Sequence, residues 1–586
     1  METGLRFGAP QRGHRSLPGR WRVLALVLVA ALLAGLVWTR LAYWQVVRHV
    51  DLAASAQAQY REVVELPALR GGIFDRNLKQ LVVNTTVYSA FVSPDQVPDN
   101  QRARVAVALA TVLGADAPKV NQILASGKKF AYIARRFSKD KADRLRSMLL
   151  PGVGLEQEQQ RAYLPGIAGS SLAANLLGFV NYDSQGQYGV EAYYQKQLAG
   201  TPGFISSYRD LANHEIVLGS HTHQDPVNGS DLVLSLDSNI QYTAEQALAD
   251  GVKKANAESG SVLIMDPATG AIIAWADYPS YNANDFIHTD PSHFLDNISS
   301  SVYEPGSVMK VVTLSGAINA GAITPNMVIN DPGFVYVGGY RIYDWDRRNH
   351  GNITYTYVLE HSLNVGAMKA MQAEGHANFY NYLQAFGLTK ASGIDVAAED
   401  TIPPPLAAQM ADSQYATSAF GQGMDVNLIQ MLAAINVVAN GGKYAQPHVV
   451  ERIGNNLNPV LLQPQRQVIS PATALQMTQM MEQVVQHGSG WMSRVRGFEL
   501  DQAGKTGTSQ IPVNGKYTLD VWSSYVGFLP ALHPKFTMIV VMRKPHYPGY
   551  QQDWTLNDGY ITAAPVWQKI AQQIVVDWRI TPDGRG

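Results

Sequence analysis

Between Val23 and Thr39 no side chain is charged, and leucine, valine and alanine dominate. In a bilayer such a run has one stable solution, a helix whose backbone hydrogen bonds are all internal. Crossing takes about 17–25 apolar residues, so the run sits at the short end. Arg40 can snorkel, and Trp38, Tyr43 and Trp44 suit the interface. Ahead of it, residues 1–22 carry Arg6, Arg12, Arg15, Arg20 and Arg22 against Glu2 alone. The positive-inside rule keeps that tail in the cytoplasm, so everything after about residue 45 lies outside it. A cleaved signal peptide is the competing reading. No convincing Ala-x-Ala site follows the run, and the aromatic flank reads as an anchor, so residues 23–44 are expected to be a single uncleaved span of the inner, cytoplasmic membrane.

A chain of 586 residues has room for more than one domain beyond that span. Its 46 basic and 47 acidic side chains nearly balance, which argues against a nucleic-acid binder or an acidic disordered protein. The absence of cysteine excludes disulfides and thiolate metal sites. Residues 45–68 read as a helix leading away from the membrane. The glycines and the Asp75-Arg76-Asn77 cluster mark a turn. Residues 81–83 and 88–92 read as two short strands, and 99–150 as helical, with its basic run a solvated face. Arg70, Asp75, Arg161 and Glu191 are expected to form an ion-pair web. His221 and His223 have the spacing of a metal pair, but no third ligand lies nearby.

The polar, turn-rich stretch around 225–230 marks a boundary, giving a pedestal over 45–227 and a second domain over 228–580. In the second, 231–236 reads as a strand and 239–249 as a helix. Ser261–Met265 and Ala271–Ala276 read as a hairpin turned by Asp266-Pro267-Ala268-Thr269-Gly270. Hairpins mixed with helices imply an antiparallel sheet with helices packed on it, an α+β (mixed) class.

Three short motifs in this domain carry chemistry. A Pro305-Gly306 turn leads into Ser307, and an apolar run with helical character follows, so Ser307 is expected at a helix start with Lys310 one turn later on the same face. That is the geometry of a serine nucleophile with a lysine base. Ser-x-x-Lys is common by chance. Here, however, Ser362-Leu363-Asn364 follows it, and Lys505-Thr506-Gly507-Thr508 comes later, just before a strand-like run. In a strand, Lys505 and Gly507 share one face and Thr506 and Thr508 the other. The glycine would let a ligand backbone come close. The ordered set is far rarer than its parts.

With these motifs the chain resembles the penicillin-binding proteins, specifically the monofunctional class B D,D-transpeptidases. Arg70-Gly71-x-Ile73-x-Asp75-Arg76-Asn77, Arg161-x-Tyr163-x-Pro165 and Gly189-x-Glu191 are similar to the pedestal signatures of that class. Met265-Asp266-Pro267-x-Thr269-Gly270, Phe420-Gly421-Gln422-Gly423 and Ser524-x-Val526-Gly527-Phe528 are similar to its catalytic domain. Glu304-Pro305-Gly306-Ser307 and the overall size look most like the cell-division member, the FtsI type.

The resemblance implies an elongated α/β pedestal of the dimerisation type and a penicillin-binding transpeptidase domain. It implies cross-linking of D-Ala-D-Ala stem peptides through an acyl-enzyme on Ser307. Lys310 would be the base, Ser362 a proton relay, Asn364 a substrate and lysine holder, and Lys505 the second cation. Thr506, Gly507 and Thr508 would bind the substrate, and the backbone N–H groups of Ser307 and Thr508 would form the oxyanion hole. No metal or organic cofactor is implied. Implied partners are peptidoglycan stem peptides on lipid II-derived glycan, β-lactams as covalent inhibitors, an FtsW-like SEDS glycosyltransferase and other division proteins. An elongation-type enzyme, a β-lactamase, a membrane-anchored sensor and a scaffold are the alternatives. The pedestal and anchor argue against a β-lactamase, the single span against a sensor, and the intact motif set against a scaffold. Lys310 is expected to act as a base because Lys505 sits beside it and depresses its pKa.

Overall fold

The computed structural model describes residues 19–52, 61–208, 222–457, 464–550 and 554–584. The chain divides into two compact units. One comprises residues 1–67 and 201–227, and the other comprises 68–200 and 228–586.

In the first unit, Gly19–Ala42 is a continuous α-helix, extended by a π-helical turn over Tyr43–Val47. This helix is long and apolar enough to cross a membrane, and none of it is buried within the protein. The guanidinium groups of Arg40 and Arg48 lie over the Trp44 ring at 5.7 and 5.8 Å, clustering cations and aromatics at its end as interfacial anchoring requires. The helix expected over 45–68 does not run through. Arg61–Leu66 is instead a strand, paired antiparallel with Gly203–Tyr208, which pairs in turn with Thr222–Gln224. The run Arg-Glu-Val-Val-Glu-Leu is β-branched at its centre, and that local preference wins. Of the two histidines read as a possible metal pair, His221 lies outside the described residues. The His223 ring sits 3.4 Å from the Asp225 carboxylate.

In the second unit, a seven-stranded sheet joins residues from both sides of the expected boundary. Leu232–Leu234 pairs parallel with Ile73–Phe74 and antiparallel with Val450–Ile453. The two short strands expected between 81 and 92 are one strand, Gln80–Val92, flanked by Ala131–Phe137 and Val153–Tyr163. Ala131–Phe137 is also a departure, because the stretch 99–150 was read as helical. Its Arg135 and Arg136 reach past Gln80–Val92 to Glu158 on the other flanking strand, at 3.3 and 3.8 Å, so charges that look merely solvated in the sequence find a partner within the sheet.

Glu191 is fully buried between two guanidinium groups, Arg70 at 2.5 Å and Arg161 at 2.8 Å. Arg161 also donates to the Gly71 carbonyl and the Asn84 amide oxygen, at 2.8 and 3.0 Å. Asp75 stands outside this web. Its carboxylate accepts the backbone N–H groups of Asn77 and Lys79 at 2.8 Å each and of Ser238 at 3.3 Å, so it closes the Asp75–Lys79 turn and ties it to the start of a later helix.

The elements of this unit that frame the site are, in chain order, α1 (Ser238–Ala255), β1 (Ser259–Met265), β2 (Ile272–Tyr278), α2 (Met309–Asn319), α3 (Asn364–Glu374), α4 (Leu428–Ala439), α5 (Pro471–Gln486), β3 (Ala503–Val513), β4 (Lys516–Leu529), β5 (Phe536–Arg543) and α6 (Ala563–Asp577). The five strands form one antiparallel sheet in the order β2-β1-β5-β4-β3. Side chains alternate across it. Val262, Ile264, Met538, Val540 and Met542 pack under α1 and α6. Leu263, Met265, Ile539, Val541, Val526 and Phe528 face the opposite layer, which holds α2, α4 and α5. Both faces are covered, so the strands read as continuous apolar runs in the sequence. The α1 helix is started by Asp237, whose carboxylate accepts the Asn239 and Ile240 N–H groups, and α4 by an Asn427/Gln430 capping box. The mixed class and the helix-flanked antiparallel sheet are as the sequence predicts.

Glu191→Gln removes the charge that holds two buried arginines. Breaking a buried pair of this kind costs about 3–5 kcal/mol. Chemical denaturation of the purified protein is expected to show that loss, and an unchanged midpoint would contradict it.

Candidate active site

Two glycines set the turn that presents Ser307. Gly306 has φ +57°, and a Cβ there would come within 2.9 Å of the Thr508 carbonyl oxygen. Gly421 has φ +81°, and a Cβ there would come within 2.2 Å of the Gly306 carbonyl oxygen. Only glycine fits both the conformation and the space. Residues Gly306–Val308 make one 3₁₀ turn that runs directly into α2, so Ser307 opens the helix and Lys310 follows on its first turn. Glu304 braces the turn. Its carbonyl accepts the Ser509 hydroxyl at 2.5 Å, and its carboxylate accepts the Gly423 N–H at 2.8 Å and the Tyr517 hydroxyl at 3.1 Å.

Lys310 is fully buried. Its Nζ lies 3.0 Å from Ser307 Oγ, 2.5 Å from the Ser362 carbonyl oxygen, 3.3 Å from Ser362 Oγ and 2.8 Å from Asn364 Oδ1. The Asn364 amide is oriented unambiguously, because its Nδ2 donates to the Tyr343 carbonyl at 2.9 Å and Oδ1 must then face the lysine. Ser362 O and Asn364 Oδ1 can only accept. A neutral amine satisfies both with its two N–H groups, which leaves its lone pair for a serine hydroxyl.

Ser362 sits between the two lysines. Its backbone has φ +59°, a left-handed conformation that costs a non-glycine residue of order 1–3 kcal/mol. The surrounding packing holds it there, in the loop before α3. Lys505, on β3 and also fully buried, donates to Ser362 Oγ at 2.9 Å and to the Thr506 carbonyl at 2.8 Å. Thr506 Oγ1 lies 2.6 Å from Ser489 Oγ, and Thr508 Oγ1 accepts the Gly559 N–H at 3.3 Å. A Cβ at Gly507 would meet Ser524 Oγ at 2.4 Å and Val308 Cγ2 at 2.8 Å. This glycine therefore lets the serine turn and the neighbouring strand β4 come close to β3.

Burial pushes the Lys310 amine down to about 7, against the upward pull of the Asp344 carboxylate. Lys505 is pushed well below the usual lysine range, by burial first and then by the charge on Lys310, with Asp558 opposing. Loss of water is the first cause at both amines, and the repulsion between the two ammonium groups adds to it. Two desolvated amines sharing one hydroxyl do not both stay charged.

Asp344 has no precedent in the sequence reading. Its carboxylate accepts the N–H groups of Asn364 at 2.6 Å and Val365 at 3.0 Å, capping α3 and fixing the loop that carries Ser362. Burial, together with the neighbouring Asp331 carboxylate, raises its pKa to about 6. Ser489 was likewise missed. The sequence signals there are an Asp-Trp-Asp stretch over 344–346 and a Gly-Ser-Gly loop over 488–490, neither of which points to chemistry.

A model of the penicillin binding protein transpeptidase domain matches residues 260–572, and one of the penicillin-binding protein dimerisation domain matches residues 65–234. This chain belongs to the penicillin-binding proteins. It is 30% identical to stage V sporulation protein D of Bacillus subtilis over 96% of this chain and 86% of that protein. It is 29% identical to the peptidoglycan D,D-transpeptidase FtsI of Escherichia coli, over 96% of this chain and 93% of that one. Its structure superposes on penicillin-binding protein 3 of Mycobacterium tuberculosis, complexed with aztreonam, with a TM-score of 0.67 and 25% identity, covering 89% and 98% of the two chains. The chain is thus a peptidoglycan D,D-transpeptidase of the class B type, carrying one N-terminal helix able to anchor it in a membrane.

If the Lys310 amine, with a pKa near 7, takes the serine proton, penicillin acylation is expected to rise as the pH climbs through that value. Asp344 pulls that pKa upward, so Asp344→Asn is expected to move the acid limb of the acylation–pH profile to lower pH, by about one unit for a nearby opposite charge. A limb that stays in place or moves up would exclude this coupling.

Proposed function

We propose that Ser307 is the nucleophile of peptide-bond exchange between stem peptides, and that the enzyme works in septal wall synthesis during cell division. The observation that supports this most directly is the Lys310 amine, within 3.0 Å of Ser307 Oγ and sharing Ser362 with Lys505. Ser307 Oγ attacks the penultimate D-alanine carbonyl while its proton passes to the neutral Lys310. The charge that develops on the carbonyl oxygen is met by the Ser307 and Thr508 N–H groups, and one such donor is typically worth about 2.7–4 kcal/mol. Ser362 relays a proton to the departing amine of the terminal D-alanine as the C–N bond breaks, leaving an ester on Ser307. An amine from a neighbouring stem peptide then attacks that ester, forms the new amide and returns the serine hydroxyl. Asn364 holds Lys310 and the substrate amide, and Lys505, Thr506, Gly507 and Thr508 receive the terminal carboxylate. A β-lactam acylates the same serine and stays there.

The division role is supported by similarity to FtsI of Escherichia coli and to a sporulation protein of Bacillus subtilis. The arginine-rich residues 1–22 put that tail in the cytoplasm and the enzyme outside it. The pedestal over 45–227 and the single anchor suit a membrane partner that polymerises glycan, an FtsW-like SEDS glycosyltransferase. Intact-protein mass after exposure to penicillin is expected to show an adduct that Ser307→Ala abolishes, and an adduct that persists in that variant would exclude Ser307. A fluorescently tagged chain is expected to band at mid-cell, whereas dispersed lateral signal would favour the elongation-type reading.

A further inference from the structure

Phe334–Val337 and Tyr340–Tyr343 form a hairpin turned by Gly338 and Gly339, both with positive φ. Its register pairs Phe334 with Tyr343 and Tyr336 with Arg341, so these four share one face. The other face, with Val335, Val337 and Ile342, packs on the core. The outward face keeps Tyr336 68% exposed, and Trp345 beyond the hairpin is 50% exposed. The Arg341 guanidinium lies 3.7 Å from the Phe334 ring centre and 4.8 Å from that of Tyr343, and Arg347 lies 5.3 Å from Tyr343. Among the described residues neither arginine is within ion-pair distance of a carboxylate. The face is therefore an open aromatic surface with uncompensated positive charge.

It also belongs to the frame of the site. The Tyr343 carbonyl orients Asn364, and Trp345 Nε1 donates at 3.0 Å to the carbonyl of His361, the residue before Ser362. From the Tyr343 carbonyl, three successive hydrogen bonds of 2.9, 2.8 and 3.0 Å lead through Asn364 and Lys310 to Ser307.

We propose that this face holds the sugar backbone of a peptidoglycan strand whose stem peptide is at Ser307, with Arg341 and Arg347 pairing carboxylates of the attached peptides. The proposal rests on the reading of Ser307 given above. A pyranose ring offers C–H bonds to one side and hydroxyls at its edge. Aromatic faces carry negative quadrupole charge that attracts those C–H bonds, and the Tyr336 hydroxyl can bond the sugar hydroxyls. Stem peptides bear carboxylates, which matches the charge of the face, and a guanidinium already stacked between rings loses little freedom on pairing with one. An exposed apolar patch of this kind calls for an occupant, and the substrate is the polymer that must pass beside it.

Sedimentation of the full chain with purified, insoluble peptidoglycan sacculi tests this, with penicillin acylation measured in parallel. Tyr336→Ala/Arg341→Ala is expected to lose at least about fivefold more sacculus affinity than acylation rate. Tyr336→Phe, which keeps the ring, is expected to hold on. Sacculus binding that falls no further than acylation would overturn the proposal and leave the face to a protein partner. A wild-type chain that takes up no penicillin would remove the Ser307 reading and this one with it.

Discussion

One hydroxyl between two buried amines governs this structure. Ser362 Oγ is within 3.3 Å of Lys310 and 2.9 Å of Lys505, and both lysines are fully buried from bulk solvent. Burying an unpaired ammonium is expensive enough that the group gives up its proton instead. The catalytic domain brings three segments to that point: the first turn of α2, the loop before α3 and strand β3. Each supplies groups the others lack. The loop brings acceptors, the helix brings the amine beside Ser307, and the strand brings the second amine.

Closeness of backbone, rather than additional polar contacts, makes that convergence possible. The serine turn rests on β3 because Gly306 leaves room for the Thr508 carbonyl and Gly507 leaves room for Val308 and Ser524. Gly421 in turn lets its own loop hydrogen-bond to Gly306, whose N–H donates to the Gly421 carbonyl at 2.9 Å. These glycines are where the serine turn, the loop around Gly421 and the strands come into contact.

Much of the site was legible because its chemistry is carried by residue type at short spacing. Ser307 and Lys310, Ser362 and Asn364, and Lys505 are brought together in space, and Ser307 does open a helix. The β1–β2 hairpin was legible for a similar local reason, since Asp266 and Gly270 specify its turn. What failed depended on distant partners. Ala131–Phe137 carries arginines at consecutive positions, which breaks any apolar alternation, and only Glu158 on another strand makes those charges fit a sheet. Asp75 looked like an ion-pair partner of Arg70 and Arg161, but Glu191 satisfies both arginines and Asp75 is taken by backbone N–H groups. Asp344 could not be singled out, because its role is defined by N–H groups some twenty residues away that come within reach only in the fold.

Burial is the first cause that brings the Lys310 amine into a useful range, and the Asp344 carboxylate works in the opposite direction. A carboxylate that opposes the needed shift stays in place because it has another task. By accepting the Asn364 and Val365 N–H groups it fixes the loop that supplies both carbonyl-type acceptors to Lys310. Were the loop free, those acceptors would no longer claim the two N–H groups of the neutral amine, and its lone pair would no longer be aimed at a serine. The carboxylate therefore costs Lys310 some of its pKa depression while securing the direction of its lone pair. That geometry matters more, since a base of suitable pKa is of no use unless it points at the proton it must take.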